Sequence, residues 1–180
     1  MYMTLKEETQ NMGPPSSASS SSSSSSSSGV KAKVLDIPLH GIGFEFVEIT
    51  PHKITGRLPV TEKCCQPFKV LHGGVSALIA ESLASMGAHM ASGFQRVAGV
   101  HLSIHHLKSA HLGDFVFAEA VPINIGKSLH VWEVCLWKID PSNEENKTLL
   151  ASSRVTLKVN MSVPENAKDA AMNLKKYAKL

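Results

Sequence analysis

The sequence predicts an α+β fold in which a mostly antiparallel sheet wraps around one long central helix. Two observations predict it: the chain has a single long helical pattern, and strand-like runs lie on both sides of that pattern in the order β-β-α-β-β-β-β. Strand runs grouped around one helix favour antiparallel pairing. The predicted strands are 44–49, 54–60, 97–107, 115–125, 129–139 and 149–160, and the predicted helix is 71–94.

The first two strand runs are predicted to form a hairpin. Residues 44–49 alternate between apolar and polar types, and Pro51-His52 separates them from residues 54–60. An irregular stretch, 61–67, then leads into the helix. The later strands are bounded by turn signals, which are Leu112-Gly113-Asp114, Gly126-Lys127-Ser128 and Asp140-Pro141-Ser142-Asn143.

The helix has two distinct sides when its residues are placed 100° apart. A stripe of larger apolar residues is predicted to face the sheet; it consists of Val75, Ile79, Leu83, Met86 and Met90. The side around Glu81 holds small residues instead, namely Ala77, Ala84, Ser85 and Ala88. A solvated face would carry Lys and Glu, so the helix is predicted to be largely covered on both sides.

Glu81 is the only Asp, Glu, Lys or Arg between Leu71 and Gln95. A carboxylate among small, covered neighbours is rare unless it is paired or functional. Glu81 is therefore a candidate catalytic residue. An exposed helix residue or a structural ion pair is the alternative.

The start of the helix is a second candidate site. His72-Gly73-Gly74 places backbone N–H groups without helical partners at the positive end of the helix dipole. Glycine lets a ligand approach the backbone closely, so this end could polarise a carbonyl oxygen or hold an oxyanion. The alternative is a tight strand-to-helix turn with no ligand.

Composition divides the chain into three parts. Twelve of the thirteen residues from Ser16 to Ser28 are serine, a run that cannot offset its ordering entropy, so 1–32 is predicted to be a disordered tail. Residues 33–163 are predicted to form one domain with its own core, and 164–180 a Lys- and Ala-rich, solvated helical tail. The N-terminal tail lacks the apolar region of a secretory signal, and its few basic residues disfavour a plastid transit peptide.

The final three residues, Ala178-Lys179-Leu180, resemble the peroxisomal Ser-Lys-Leu address. A peroxisomal location is therefore expected, with the peroxisomal import receptor as a partner. A net charge of only +3 disfavours a nucleic-acid partner, and no apolar stretch is long enough to span a bilayer, which excludes a membrane-spanning protein.

Cysteine and histidine content disfavours a metal site. The three cysteines include the adjacent pair Cys64-Cys65 and no C-x-x-C pair, so neither a disulfide framework nor a structural zinc site is predicted. On a strand His101 and His105 share one face while His106 points to the other, so no metal site is predicted there. A thiol nucleophile at Cys64-Cys65 stays open, although no orienting base is recognisable.

Residues 66–75, Gln-Pro-Phe-Lys-Val-Leu-His-Gly-Gly-Val, followed by Ala80-Glu81-Ser82, resemble the hotdog-fold acyl-CoA thioesterases of the 4-hydroxybenzoyl-CoA thioesterase type. The stretch 126–132 also resembles a turn and strand of that branch, and the similarity covers roughly residues 40 to 160. The resemblance implies the hotdog fold and hydrolysis of an aryl-CoA thioester, with acyl-CoA as substrate and no cofactor. The alternatives are a thioesterase of broader specificity and a non-catalytic acyl-CoA-binding hotdog protein.

The resemblance also implies roles for individual residues. Glu81 matches the catalytic carboxylate, acting as nucleophile or as general base on water. Gln66 and the Gly73 amide match the groups that polarise the thioester carbonyl, and His72 matches the histidine beside that amide. Ser85 matches a small hydroxyl residue that can orient the carboxylate or its water.

Four further residues are implied to contact substrate. His106 matches a histidine that lines the acyl pocket in close relatives. Lys108 and the turn residues Lys127 and Ser128 match positions that bind the nucleotide end of coenzyme A. The family often has arginine near this turn, and lysine cannot offer the same bidentate fork.

The spacing of Gly73 and Glu81 predicts a site shared between two chains. Eight residues of helix separate them by about 12 Å, whereas reacting atoms need to lie roughly 3–3.5 Å apart. A second, antiparallel helix would bring its own Glu81 opposite the first helix's start, and the small residues around Glu81 would permit its close approach. A homodimer with shared active sites is therefore predicted, and the resemblance implies pairing of dimers into a homotetramer.

Overall fold

The computed structural model describes residues 30–31, 35–140 and 142–179. Its strands are β1 (Val30–Lys31), β2 (Glu45–Ile49), β3 (Ile54–Pro59), β4 (Arg96–His106), β5 (Phe115–Ile125), β6 (Leu129–Asp140) and β7 (Asn143–Met161). Its helices are α1 (Ile37–Gly41), α2 (Gly73–Ala91) and α3 (Met172–Tyr177), with short 3-10 turns at Glu62–Cys64 and Glu165–Ala167.

The strands form one sheet in the order β1-β2-β3-β5-β6-β7-β4, and each neighbouring pair runs antiparallel. The long helix α2 packs on the inner face of this sheet, against strands β3 to β7. The predicted α+β fold, with six strands and a central helix in the expected order, is confirmed. The structure adds β1 and α1, and β7 begins at Asn143 instead of 149.

The core lies between α2 and the inner face of the sheet. Trp132 of β6 is fully buried there and lies against Gly87 of α2 so closely that a Cβ atom at Gly87 would be 2.3 Å from the indole ring. Because the glycine has no side chain, the helix and the sheet can approach each other at this point. The position of α2 over the sheet is set in part by this contact.

The buried side of α2 differs from the predicted stripe. Ala84 and Ala88 are fully buried in the chain's own core with Ile79 and Leu83, whereas Val75 and Met86 are only partly buried. The prediction that Ala84 and Ala88 line a contact with a second chain is therefore wrong. Small residues suit a close contact with the chain's own sheet as well as one with a partner, and a helical wheel cannot tell these apart.

The two ends of the chain add contacts to this core. β1 pairs with Phe46 and Glu45 of β2 and falls inside the range predicted as a disordered tail; residues 1–29 and Leu180 lie outside the described residues. In the C-terminal segment, α3 fits the predicted helix, but Leu174 is buried where a solvated tail was expected. The domain boundaries at 32 and 163 stay predictions.

In the part of the chain that the structure describes, no helix is both long and apolar enough to cross a membrane.

Candidate active site

Glu81 lies in the middle of α2, half-buried, with its carboxylate held by a residue one turn later. The Ser85 hydroxyl donates to Oε1 of Glu81 at 3.3 Å. Residues four apart on a helix lie on the same side, so the helix itself sets this contact. Ser85 thus takes a position from which it can orient the carboxylate.

The carboxylate also lies directly against strand β4. A Cβ atom at Gly99 would be 2.2 Å from Oε1 of Glu81 and 3.4 Å from Oε2. Only glycine leaves room for the carboxylate in this position. Gly99 is not among the predicted site residues, although a glycine inside a predicted strand is a known sign of close approach by another group.

The first turn of α2 is stabilised by its N-cap residue. His72 is the N-cap, and its Nδ1 accepts a hydrogen bond from the Gly74 N–H at 2.9 Å. The Gly73 amide is one of the first N–H groups of the helix, which have no partner within it. The imidazole of His72 therefore holds the turn that presents the Gly73 amide at the positive end of the helix dipole.

Gln66 reaches the same end of α2 through a tight loop. Its N–H donates to the Val70 carbonyl at 2.8 Å, and the Lys69 N–H donates to the Gln66 carbonyl at 3.0 Å. Lys69 takes a left-handed conformation, with φ of 60°, to close this loop. The loop returns the chain beside Gly73.

Four of the predicted residues surround one cleft of about 260 Å³ at this end of the helix: Gln66, Gly73, His106 and Lys108. The His106 ring packs on Gly73, where a Cβ atom would lie 3.1 Å from its Nε2. The cleft therefore offers amide, imidazole and ammonium groups around the helix start, and such groups can polarise a carbonyl oxygen.

The remaining predicted residues do not line this cleft. Glu81 lies eight residues along the helix from Gly73, about 12 Å of helical rise. Ser85 lines a different cavity. Lys127 and Ser128 form the turn between β5 and β6, where the Lys127 carbonyl accepts from Asn160 Nδ2 at 2.5 Å and the Ser128 carbonyl from the Val159 N–H at 3.0 Å. Within a single chain, the candidate carboxylate therefore lies apart from the candidate carbonyl-binding groups.

Strand β4, which carries Gly99, lies at an edge of the sheet. It has eleven residues, and among the described strands it pairs with β7 alone. Val100 at its centre is 61% exposed. A long, unprotected edge of this kind is suited to pairing with another strand.

The adjacent cysteines Cys64 and Cys65 lack the surroundings of a thiol nucleophile. The Cys64 thiol is buried and donates to the Thr61 carbonyl at 3.1 Å. Burial raises the pKa of the Cys65 thiol and so favours the protonated, poorly nucleophilic form. Within 30–31, 35–140 and 142–179, no three His, Cys, Asp or Glu side chains are grouped so as to hold a metal ion.

Comparison with known proteins gives matches over most of the chain. The model of the thioesterase superfamily matches residues 68–144. The chain is 56% identical over 144 residues to 1,4-dihydroxy-2-naphthoyl-CoA thioesterase 2 of Arabidopsis thaliana, covering 79% of this chain and 92% of that protein. It is 41% identical over 119 residues to 1,4-dihydroxy-2-naphthoyl-CoA hydrolase of Listeria monocytogenes, covering 66% and 91%.

Among solved structures, the crystal structure of a thioesterase from Haemophilus influenzae superposes with a TM-score of 0.61 at 29% identity, covering 75% of this chain and 90% of that one. The residues matched by the family model include Gly73, Glu81, Ser85 and Gly99. The matched region therefore contains both the helix start and the carboxylate contact on β4.

Proposed function

The chain belongs to the thioesterase superfamily, and we propose that it hydrolyses 1,4-dihydroxy-2-naphthoyl-CoA to the free acid and coenzyme A in phylloquinone biosynthesis. The observation that carries the proposal is that α2 bears both parts of a thioesterase site. Its middle holds the Glu81 carboxylate between Ser85 and Gly99, and its start lies at a cleft lined by Gln66 and Gly73. The name of the Arabidopsis relative, at 56% identity, supports the choice of acyl group.

In the proposed reaction the thioester oxygen lies at the Gly73 amide and the Gln66 side chain. Both can donate to the oxygen as negative charge develops on it. Glu81 either attacks the carbonyl carbon or removes a proton from the attacking water. If Glu81 attacks, an acyl anhydride with its carboxylate forms as the C–S bond breaks, and water then hydrolyses this anhydride and frees Glu81. If Glu81 acts as base, water attacks the carbonyl carbon directly and the C–S bond breaks. On either route water supplies the oxygen of the free acid, and the proton that water loses passes to the coenzyme A thiolate.

The distance between these groups supports an active site shared by two chains. Two copies of β4 pairing antiparallel across a two-fold axis would continue the sheet and bring the two α2 helices side by side in opposite directions. Glu81 of one chain would then face the Gly73 end of the other. The exposed edge of β4, which carries Gly99 against Glu81, supports this arrangement. Pairing of two such dimers into a homotetramer is part of the proposal.

The other predicted residues have supporting roles in the proposal. His72 holds the helix start in position, and His106 and Lys108 contact substrate beside the cleft. Lys127 and Ser128, in the turn after β5, contact the nucleotide end of coenzyme A from outside the cleft. The positive charge of Lys127 suits the phosphates of that group.

A peroxisomal location, through Ala178-Lys179-Leu180 and the import receptor, completes the proposal. A fluorescent protein fused to the N-terminus, which leaves this sequence free, should enter peroxisomes. A fusion that blocks it should stay in the cytosol. Entry of the blocked fusion into peroxisomes or plastids would contradict this part of the proposal.

The activity is tested by release of free thiol from 1,4-dihydroxy-2-naphthoyl-CoA, benzoyl-CoA and decanoyl-CoA. The naphthoyl thioester is expected to give the highest kcat/KM. Comparable values for all three would indicate a thioesterase of broad specificity, and binding without thiol release would indicate an acyl-CoA-binding protein.

The assignment of Glu81 is tested by Glu81→Gln and Glu81→Ala. Both are expected to lose nearly all turnover while still binding substrate, because the carboxylate acts mainly in the transition state. Near wild-type kcat in either variant would refute the role of Glu81.

The shared site is tested by mixing two inactive variants. Chains with Glu81→Ala are combined with chains that carry Gln66→Ala and Gly73→Pro, once both variants are shown to fold. Heterodimers should regain one working site of two. No recovery in verified heterodimers would mean that each site is built within a single chain.

A further inference from the structure

A second cavity, of about 270 Å³, lies beside the C-terminal half of α2. Its walls come from four separated parts of the chain, the first of which is Leu35. Ser85, Met86 and His89 belong to α2, and Val97 belongs to β4. The remaining wall is formed by Ala170, Asn173 and Leu174, in the segment that follows the last strand.

Only the Ser85 side chain lies between this cavity and the candidate carboxylate, Glu81. Ser85 lines the cavity, and its hydroxyl donates to Oε1 of Glu81 at 3.3 Å. A thioester whose carbonyl carbon lies within reach of Glu81 therefore has its acyl group close to the cavity entrance. Met86, Val97 and Leu174 give it largely apolar walls, which favour an apolar or aromatic group.

The C-terminal wall is fixed to the domain at several points. Leu174 is buried in the core. The Lys175 ammonium lies 4.8 Å from the centre of the Phe94 ring, a cation–π contact, and the Lys179 N–H donates to the Ile49 carbonyl at 2.9 Å. A wall held in this way can limit the size of what binds beside it.

We propose that residues 170–174 form one wall of the acyl-group subsite and determine how large an acyl group the enzyme accepts. The proposal rests on the proposed thioesterase function and names residues outside the family match, which ends at residue 144. At about 270 Å³ the cavity is slightly smaller than the roughly 300–1,000 Å³ typical of ligand clefts, so it suits a compact aryl group better than a long flexible chain.

The test adds bulk to the wall without disturbing the core. Ala170 and Asn173 are exposed, so Ala170→Trp and Asn173→Trp add their bulk outside the buried core. Met172→Trp is the matched control, because Met172 is 67% exposed on the same segment and does not line the cavity. Thermal unfolding of each variant checks that the fold is retained.

The measured quantity is the ratio of kcat/KM for 1,4-dihydroxy-2-naphthoyl-CoA to kcat/KM for benzoyl-CoA, whose acyl group is one ring smaller. Either cavity-lining tryptophan should lower this ratio by about tenfold or more, as small changes in pocket size do. Met172→Trp should leave it unchanged. Leu174→Ala, which widens the cavity, should shift the ratio in the opposite direction if the variant folds.

An unchanged ratio in both Ala170→Trp and Asn173→Trp, with folded protein, would overturn the proposal. An equal change in the control would also overturn it, because the effect would then not come from the cavity. Failure of the proposed function looks different: the wild-type protein itself would release no thiol from either substrate. If it prefers another acyl group, the same comparison is made with that thioester and a smaller one.

Discussion

Because Gly99 contacts Glu81, a substitution at Gly99 can move the carboxylate while Glu81 itself stays unchanged. A Cβ atom at Gly99 would be 2.2 Å from Oε1, and ordinary van der Waals contact begins at 3.4 Å. Gly99→Ala therefore requires Oε1 to move by about 1.2 Å. The carboxylate is the end of a flexible side chain, so it can move while the backbone of β4 stays in place.

Gly99→Ala should lower kcat by about 10²-fold, because a displacement of about 1 Å at a reacting group costs that much. The same shift weakens the hydrogen bond from Ser85, which is 3.3 Å long in the native arrangement. Stability should not fall. Gly99 does not have a positive φ, and Gly→Ala at a compatible position stabilises a protein by about 0.4–1 kcal/mol through the unfolded state.

The assay combines steady-state thiol release with thermal unfolding and gel filtration. Gly41→Ala is the matched control, since a Cβ atom there meets nothing within 4 Å, and it should leave kcat unchanged. A folded Gly99→Ala protein of native assembly with wild-type kcat would refute the reasoning. The carboxylate position would then not matter for turnover.

Three further predictions concern the core, the pH dependence and the cleft. Gly87→Ala should lower stability by about 1–3 kcal/mol, seen in chemical denaturation, because its Cβ would lie 2.3 Å from the Trp132 ring. Burial lowers the pKa of His130 in the folded state, so the unfolded chain binds its proton first. The free energy of unfolding should therefore be constant above a pH of about 6.5 and decrease as the pH falls below it. His130→Gln should make the free energy of unfolding less dependent on pH in that range. Gln66→Ala should lower kcat by about 10²-fold, as loss of one carbonyl-polarising donor does, with thiol release as the measurement.

The order of elements could be predicted because it depends on local patterns. Alternating residues, turn residues and one long helical period predict the ends of the strands and of α2 to within three residues, apart from the start of β7. Which face of α2 is buried against the sheet could not be predicted in the same way. Ala84 and Ala88 are buried against the chain's own sheet, and alanine is equally suited to that contact and to one with a partner.

In the candidate site, too, the features set by local sequence could be predicted, and those set by contacts between distant parts of the chain could not. Gln66 and Gly73 come together because a short loop joins them, and the motif between 66 and 75 contains that loop. Gly99 was missed because its role depends on β4 crossing α2 next to Glu81, a contact between distant parts of the chain. The wall at 170–174 was missed for the same reason, since Lys and Ala content predicts a helix but not where the helix docks.

The C-terminal segment has two proposed roles that make opposite demands on it. A wall of the acyl subsite must stay docked, whereas a receptor must grasp the last residues in free form. The anchors are distributed in a way that permits both. Leu174 holds the wall in the core, Tyr177 and Ala178 are only partly buried against it, and Lys179 is attached by one hydrogen bond, from its N–H to the Ile49 carbonyl. Such a bond contributes about 0.5–1.5 kcal/mol net, so Lys179 can separate from β2 in a substantial fraction of molecules while Leu174 stays buried and the wall stays in place.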